Sequence, residues 1–106
     1  MNQGKKNDQS KPPVTQFLRQ FPNAMKYLAL VSEYGHRKYG EEEDNENWDN
    51  WAKVENGRFR YEQALGRHML EKHDHIDESG FLSIAHTAWN AIAVLEKTLQ
   101  ELNKES

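Results

Sequence analysis

The chain contains no cysteine among its 106 residues. This absence excludes disulfide bonds, thiolate metal ligands and thiol nucleophiles from its chemistry. A lack of cysteine is also consistent with a reducing compartment, and we therefore expect a cytoplasmic protein.

Long apolar runs and concentrated basic patches are missing as well. No segment approaches the ~20 apolar residues that cross a bilayer, and the opening MNQGKKNDQSKPP lacks the apolar middle of a signal peptide. Lysine and arginine number 14 against 17 acidic residues and are scattered along the chain. A duplex nucleic acid normally needs a clustered basic face. We expect neither a membrane nor a duplex nucleic acid as a partner.

Only three prolines and six glycines interrupt the chain, and no segment alternates as a strand does. Apolar residues instead recur at three- and four-residue spacing. The pattern predicts an all-α fold, a compact bundle of about four helices with a long tryptophan-containing loop between the second and third. We predict a disordered polar arm over 1–12 and a single α-helical domain over 13–103.

The predicted helices have approximate limits. A short helical turn covers the apolar residues before Pro22, and the next two helices run over about 23–38 and 58–73. In the last helix we expect Asp77 or Ser79 to act as the N-cap. Its apolar stripe consists of Phe81, Ala85, Ala88, Ile92, Leu95 and Leu99. Further apolar residues widen that stripe, which predicts a homo-oligomer because one chain leaves such a surface uncovered.

The loop between the second and third helices reads GEEEDNENWDNWAKVENG and has no regular period. Loops of this length in small domains usually cover something. Trp48 and Trp51 either pin the loop to the core, as the burial preference of tryptophan favours, or one of them forms the wall of a base-binding pocket.

Several polar side chains lie on helical faces that are otherwise apolar. Glu78, Leu82, His86 and Asn90 follow one another at four-residue steps, while His68 lies on the buried-looking face of the preceding helix. Two helices joined by a short break normally pack antiparallel, which would bring these imidazoles and carboxylates together. Such a group can hold a divalent cation. The alternative is that the histidines are hydrogen-bonded core residues and the acids only begin a helix.

Two shorter patterns imitate known metal sites. Glu43 and Glu46, followed by Glu71 and Asp74, have the ExxE and ExxD spacing of all-α pyrophosphohydrolases, in which four carboxylates hold Mg²⁺. His73 with Asp74 is similar to the dipeptide of HD-type phosphohydrolases. With 17 acidic residues in the chain, accidental matches are frequent.

Seven motifs occur in order between Lys11 and about Leu95. Together they resemble the N-terminal domain family of dATP/dGTP diphosphohydrolase, found in phages and bacteria and associated with MazG-like nucleotide pyrophosphohydrolases. One departure is that Glu41 to Glu46 lengthen the loop. The motifs are the KPP start, Tyr34-Gly35-His36-Arg37-Lys38-Tyr39-Gly40, Asn47-Trp48, Arg60-Tyr61, Ala64-Leu65-Gly66-Arg67-His68, Asp77-Glu78-Ser79-Gly80, and Ala85-His86 with Asn90.

The resemblance implies an α-helical nucleotide-processing fold and a divalent metal, Mg²⁺, Mn²⁺ or Co²⁺. We predict metal-dependent hydrolysis of (deoxy)nucleoside triphosphates in phage nucleotide metabolism. The alternatives are a non-catalytic nucleotide-binding module, such as a phage protein that sequesters a nucleotide signal of host defence, and a purely structural adaptor.

Residue roles follow from the matching positions and their chemistry. The predicted catalytic residues are Glu78, His68 and Arg67, where Arg67 balances phosphate charge. The predicted metal ligands are His68, Asp77, Glu78 and His86. The predicted nucleotide-binding residues are Lys38, Tyr39, Asn47, Trp48, Arg67 and Asn90.

Overall fold

A computed structural model describes residues 11–39 and 50–105. These two ranges contain four α-helices and no strand, which confirms the predicted all-α class. The helices are α1 (Val14–Gln20), α2 (Pro22–Tyr39), α3 (Gly57–Met69) and α4 (Ser83–Glu105), with a short 3-10 helix at Asn50–Lys53. Residues 1–10 of the predicted arm lie outside the described ranges, and the division into arm and domain stays a prediction.

The helices α3 and α4 form the most extensive contact, and α2 packs against α4. Pro22 is the first residue of α2, a position where its missing N–H group costs no hydrogen bond. Within the described ranges, the buried apolar residues are Val31, Ala85 and Ala93. The aliphatic core of residues 11–39 and 50–105 is therefore small, and aromatic side chains hold much of this bundle together.

One aromatic cluster joins α3, α4 and the 3-10 helix. The rings of Trp51, Tyr61 and Trp89 lie 5.6 to 6.3 Å apart between centroids, in tilted or edge-to-face arrangements. The Tyr61 hydroxyl donates a 2.6 Å hydrogen bond to the carbonyl oxygen of Trp51. Trp51 thus pins its segment to the core, as one of the two interpretations of the loop predicts. Trp48 lies outside the described residues.

The helix α3 ends at Met69 and not at residue 73, so the predicted C-terminal limit is wrong. The backbone N–H of Leu70 bonds to the carbonyl of Arg67, and that of Glu71 bonds to His68, which tightens the last turn. The side chain of Glu71 then points back toward His68 in the last turn of α3.

The predicted start of α4 also needs correction, because neither Asp77 nor Ser79 caps it. The helix begins at Ser83. Just before it, an antiparallel bridge between Ile76 and Leu82 closes residues 76–82 into a loop. Asp77 and Ser79 lie inside that closed loop and form a turn of their own. Local side-chain hydrogen bonds of this kind compete with helix formation.

Gly80 has a φ of +86°, a left-handed conformation that side chains with a Cβ atom adopt at a cost. We expect Gly80→Ala to lower the free energy of unfolding by about 1 kcal/mol, because of this strain. Gly66 is the matched control, because it lies inside α3 and a Cβ atom there has open space around it. Gly66→Ala should raise stability by about 0.5 to 1 kcal/mol. Chemical denaturation followed by circular dichroism measures both, and equal effects would contradict the explanation.

The apolar stripe predicted for the last helix is only partly buried. Ala85 is buried, but Ile92, Leu95 and Leu99 are 46 to 57% exposed. The helix turns its small side chains and Trp89 inward and leaves a line of large aliphatic side chains outside. Among the described residues, no helix combines the length and apolar character that crossing a bilayer requires.

Candidate functional site

The end of α3 and the start of α4 bring two predicted histidines together. His68 lies in the last turn of α3, and His86 lies in the first turn of α4. Their rings stack, with centroids 4.8 Å apart and planes inclined by 19°. A charge on His68 at this distance opposes protonation of His86 and contributes to the lowered pKa of His86. The predicted convergence of these side chains is present.

Asp77 and Ser79 complete one side of the pair. The Ser79 hydroxyl donates to Oδ1 of Asp77, and the backbone N–H of Ser79 bonds to the same oxygen at 2.9 Å. Nε2 of His86 lies 2.8 Å from the Ser79 oxygen and 3.3 Å from Oδ2 of Asp77. Since both oxygens accept, Nε2 carries the hydrogen, and Nδ1 is the proton-accepting nitrogen of the neutral ring.

The same geometry excludes one familiar arrangement. In a serine nucleophile triad, the serine and the aspartate contact opposite nitrogens of the histidine. Here Ser79 and Asp77 share one nitrogen of His86. The three residues therefore form a network that orients the imidazole, and Ser79 is not placed as an activated nucleophile.

Glu71 is a member of the cluster that the main sequence interpretation missed. Its Oε1 accepts a 2.9 Å hydrogen bond from the hydroxyl of Ser83, a fully buried residue. The same oxygen lies 3.2 Å from Nδ1 of His68. Its Oε2 is 3.9 Å from Nε2 of His75. The only sequence signal for Glu71 was its place in the ExxD pattern. We call His68, Glu71, Asp77, Ser79 and His86 the His–carboxylate cluster.

Burial and hydrogen bonding set the charges in the cluster. Burial opposes ionisation of Asp77, but the bonds from Ser79 and the nearby His86 outweigh it and hold the pKa of Asp77 below its ordinary value. Hydrogen bonds from Ser83 and His68 lower the pKa of Glu71. Burial lowers the pKa of His86 more than the Asp77 charge raises it. At neutral pH the cluster therefore contains two carboxylates and a neutral His86.

The lowered pKa of His86 makes stability depend on pH. The unfolded chain takes up a proton near pH 6.5, whereas the folded chain resists it, so this contribution is complete above pH 6.5 and is lost as the pH falls through the lower folded pKa. We expect the melting temperature to fall by a few degrees between pH 7 and pH 5. His86→Gln should flatten this slope, and the exposed His73→Gln should leave it unchanged. A slope that persists in His86→Gln would assign it to another group.

Arg67 and Lys38 are the two predicted phosphate-binding cations, and both are exposed. Arg67 is exposed in the last turn of α3 and makes no ion pair with any residue in the described ranges. Lys38 is exposed near the end of α2, with its Nζ 5.9 Å from the ring centroid of Tyr34. That ring contacts Phe81, whose edge faces His86. Tyr34 and Phe81 thus connect Lys38 to His86 through a series of ring contacts, and Arg67 is adjacent to His68 in sequence.

The remaining predicted site residues are placed differently. Glu78 is exposed at the tip of the 77–80 turn. Asn90 is buried and donates a 2.8 Å hydrogen bond from its side-chain amide to the backbone carbonyl of His86. This bond satisfies one hydrogen-bond donor of the Asn90 side chain within α4. The predicted nucleotide contact of Asn90 stays a prediction. The side chain of Tyr39 is not among those described, and Asn47 and Trp48 lie outside the described residues.

The four predicted metal ligands do not form a ready ion site. Within residues 11–39 and 50–105, no three His, Asp or Glu side chains are arranged to hold a metal ion. Asp77 and His86 are instead bonded to each other, and the histidines stack face to face. As they stand, these residues do not fit a cation held by protein groups alone, and the metal assignment stays a prediction.

The other metal patterns have separate positions. Glu43 and Glu46 lie outside the described residues. His73 and Asp74 are exposed in the link between α3 and α4, and the backbone carbonyl of His73 accepts a hydrogen bond from Ile84.

A cavity of about 270 Å³ lies at the opposite end of the α3–α4 pair, away from the His–carboxylate cluster. Of the three cations that line it, Lys97 donates to the carbonyl of Ala52, and Arg58 pairs with Glu101, while Lys104 is the third. The cavity therefore provides no free phosphate-binding group from Lys97 or Arg58.

Comparison with known proteins gives one match. A family model described as dATP/dGTP diphosphohydrolase, N-terminal, matches residues 1–106, the whole chain. The match confirms the resemblance drawn from the seven motifs. No curated protein and no solved structure is detectably similar to the chain.

Proposed function

Because the chain belongs to the dATP/dGTP diphosphohydrolase N-terminal family, we propose that it binds a deoxynucleoside triphosphate beside the His–carboxylate cluster and hydrolyses it. The observation that carries the proposal is the convergence of His68 and His86 between ionised carboxylates. Arg67 is adjacent in sequence and makes no ion pair with any described residue. Titratable groups with shifted pKa values gather at functional sites more often than elsewhere. We further propose that this hydrolysis serves phage nucleotide metabolism, as the resemblance implies.

In this proposal each side chain has a chemical task. His86 is neutral at pH 7 and accepts a proton from water through Nδ1, while Asp77 and Ser79 hold its ring in place. The Arg67 guanidinium binds phosphate oxygens with its planar set of donors. His68 and the exposed Glu78 lie at the same junction and complete the predicted catalytic set.

A divalent ion enters the proposal with the nucleotide. Mg²⁺ in nucleotide sites is usually held by one or two carboxylates together with the substrate phosphates, and not by a cage of protein groups. Among the predicted ligands, Asp77 and Glu78 are the two carboxylates that would hold the ion. The ion would supply Lewis-acid stabilisation of phosphate charge. Mn²⁺ and Co²⁺ remain candidates beside Mg²⁺.

The test is a turnover assay of the purified chain. Each dNTP is incubated with Mg²⁺, Mn²⁺ or Co²⁺, and the products are separated by ion-exchange chromatography. We expect dATP or dGTP to be consumed in a metal-dependent reaction that EDTA stops. His86→Ala, prepared in parallel, controls for contaminating phosphatases. Consumption that is equal in the wild type and the variant, or absent with every nucleotide and metal, contradicts the proposed hydrolysis.

A non-catalytic nucleotide-binding module is the second candidate. The mutual bonding of Asp77, Ser79 and His86 favours it, because groups satisfied by one another form a stable wall for a ligand. This candidate predicts that intact nucleotide is recovered after the protein is denatured, and that binding survives EDTA. It also predicts a ligand-dependent rise in melting temperature. A structural adaptor predicts no such rise with any nucleotide.

A further inference from the structure

The outer face of α4 carries a continuous apolar line. Its Leu and Ile members are 40 to 57% exposed, and Ala88 is half-buried between them. From Ala88 onward, the spacing is four, three, four and three residues, the repeat that keeps a seam on one side of a helix. We call this line the outer stripe: Ile84, Ala88, Ile92, Leu95, Leu99 and Leu102.

The outer stripe lies opposite the contacts that α4 makes within its own chain. Ala85 and Ala93 are buried on the inner face, where Trp89 meets its aromatic partners and Lys97 reaches the 3-10 helix. At about 100° per residue, the centres of the two faces are roughly 130° apart. Because its Leu and Ile side chains remain 40 to 57% exposed, the described elements of the chain leave the outer stripe largely uncovered.

Charge is distributed on α4 in the reverse of the usual way. A surface helix normally turns its charged residues outward. Here Lys97 and Glu101 contact the 3-10 helix and α3, and Lys104 lies on the same side. Glu96 is at the border of the outer stripe, and within 83–104 no charged residue lies inside it. A face depleted of charge and rich in aliphatic side chains is typical of the centre of a protein interface.

We propose that the outer stripe binds the same stripe of a second copy of this chain, with the two α4 helices antiparallel. The sequence of the stripe is nearly symmetric about Leu95. In an antiparallel pair Leu95 meets the partner's Leu95, Ile92 lies near the partner's Leu99, and Ala88 lies near the partner's Leu102. The small side chain then faces a large one, which fills the seam evenly.

Two further features favour a second copy. The uncharged stripe meets itself without repulsion, and antiparallel α4 helices place their helix dipoles in opposite directions. The three buried apolar residues of the described ranges form a modest core, so burial of the outer stripe against a second copy would add to the stability of the chain. An isologous contact of this kind closes as a dimer and leaves no free end.

Cysteine cross-linking tests the register, because the chain contains no native cysteine. Leu95→Cys places two thiols face to face in the antiparallel pair and should form a disulfide-linked dimer under mild oxidation. Leu102→Cys is the matched control: in this register its two copies are about 21 Å apart, beyond the roughly 7 Å Cα separation that a disulfide spans. A Leu102→Cys dimer that forms as fast as the Leu95→Cys dimer overturns the antiparallel arrangement.

The oligomeric state is measured independently by light scattering on the unmodified chain. We expect twice the 12.4 kDa chain mass across micromolar concentrations, and a shift to monomer in Leu95→Glu with helical content retained. Leu99→Asn is a second, milder variant, and Leu70→Glu, at a side chain 90% exposed elsewhere, should remain dimeric. A wild-type chain that is monomeric throughout, or a Leu95→Glu variant that stays dimeric, overturns the proposal whether or not nucleotide is hydrolysed.

Discussion

Trp89→Ala is expected to lower the free energy of unfolding by about 3 kcal/mol, the largest stability effect of any single substitution considered for this chain. Trp89 contacts the rings of both Trp51 and Tyr61, and it joins α4 to α3 and to the 3-10 helix. Truncation leaves a cavity at this junction, since two edge-to-face contacts disappear together. Denaturant unfolding at one fixed protein concentration measures the change as a shift of the midpoint.

Two variants make this prediction specific. Trp89→Phe keeps an aromatic ring at the junction and should cost less than about 1.5 kcal/mol. Phe59→Ala removes a ring of α3 that is 56% exposed, and it should also cost less than the truncation of Trp89. If Phe59→Ala is as destabilising as Trp89→Ala, the junction is not the main source of stability in the bundle.

Arg67→Ala is expected to reduce kcat/KM for the preferred nucleotide by about 100-fold, the usual effect of removing a group that stabilises developing charge. Arg67 lies beside His68 at the proposed phosphate position, and a guanidinium placed there binds phosphate through two parallel N–H···O hydrogen bonds. Arg67→Lys retains the charge but not that geometry and should recover only part of the activity. Initial rates over a range of nucleotide concentrations separate kcat from KM.

Arg60→Ala is the matched control for Arg67→Ala. Both arginines are exposed on α3, both changes remove one positive charge, and Arg60 lies about two turns from the His–carboxylate cluster. Arg60→Ala should change kcat/KM only a few-fold. Equal losses in the two variants would indicate long-range attraction of the anionic substrate, and unchanged activity in Arg67→Ala would remove this residue from the site.

The helices could be predicted from the sequence because their apolar periods are long, but their ends depend on side chains that bond locally. The prediction extended α3 to residue 73, yet Glu71 leaves the helix to bond with Ser83, a residue twelve positions later. Asp77 looked like a helix cap, yet it bonds within its own turn. In both cases a polar side chain has two possible partners, and spacing alone does not choose between them.

The approach of His68 to His86 could also be predicted, because a short link between two helices makes them antiparallel neighbours. The role of Glu71 could not, since its carboxylate reaches the cluster only after α3 has ended. The apolar period of α4 was visible in the sequence, but it did not show which side faces the bundle. That choice follows from Trp89 and the buried alanines, which fit the close approach of α3 where larger aliphatic side chains do not.

The bridge between Ile76 and Leu82 closes a short loop inside the segment that carries the His–carboxylate cluster. Every member of the His–carboxylate cluster lies between positions 68 and 86, so a single short stretch of polypeptide supplies the whole arrangement. Closing so short a segment loses little chain entropy. Its geometry is therefore encoded locally, and we expect substitutions along the outer stripe to leave the mutual positions of these five side chains unchanged.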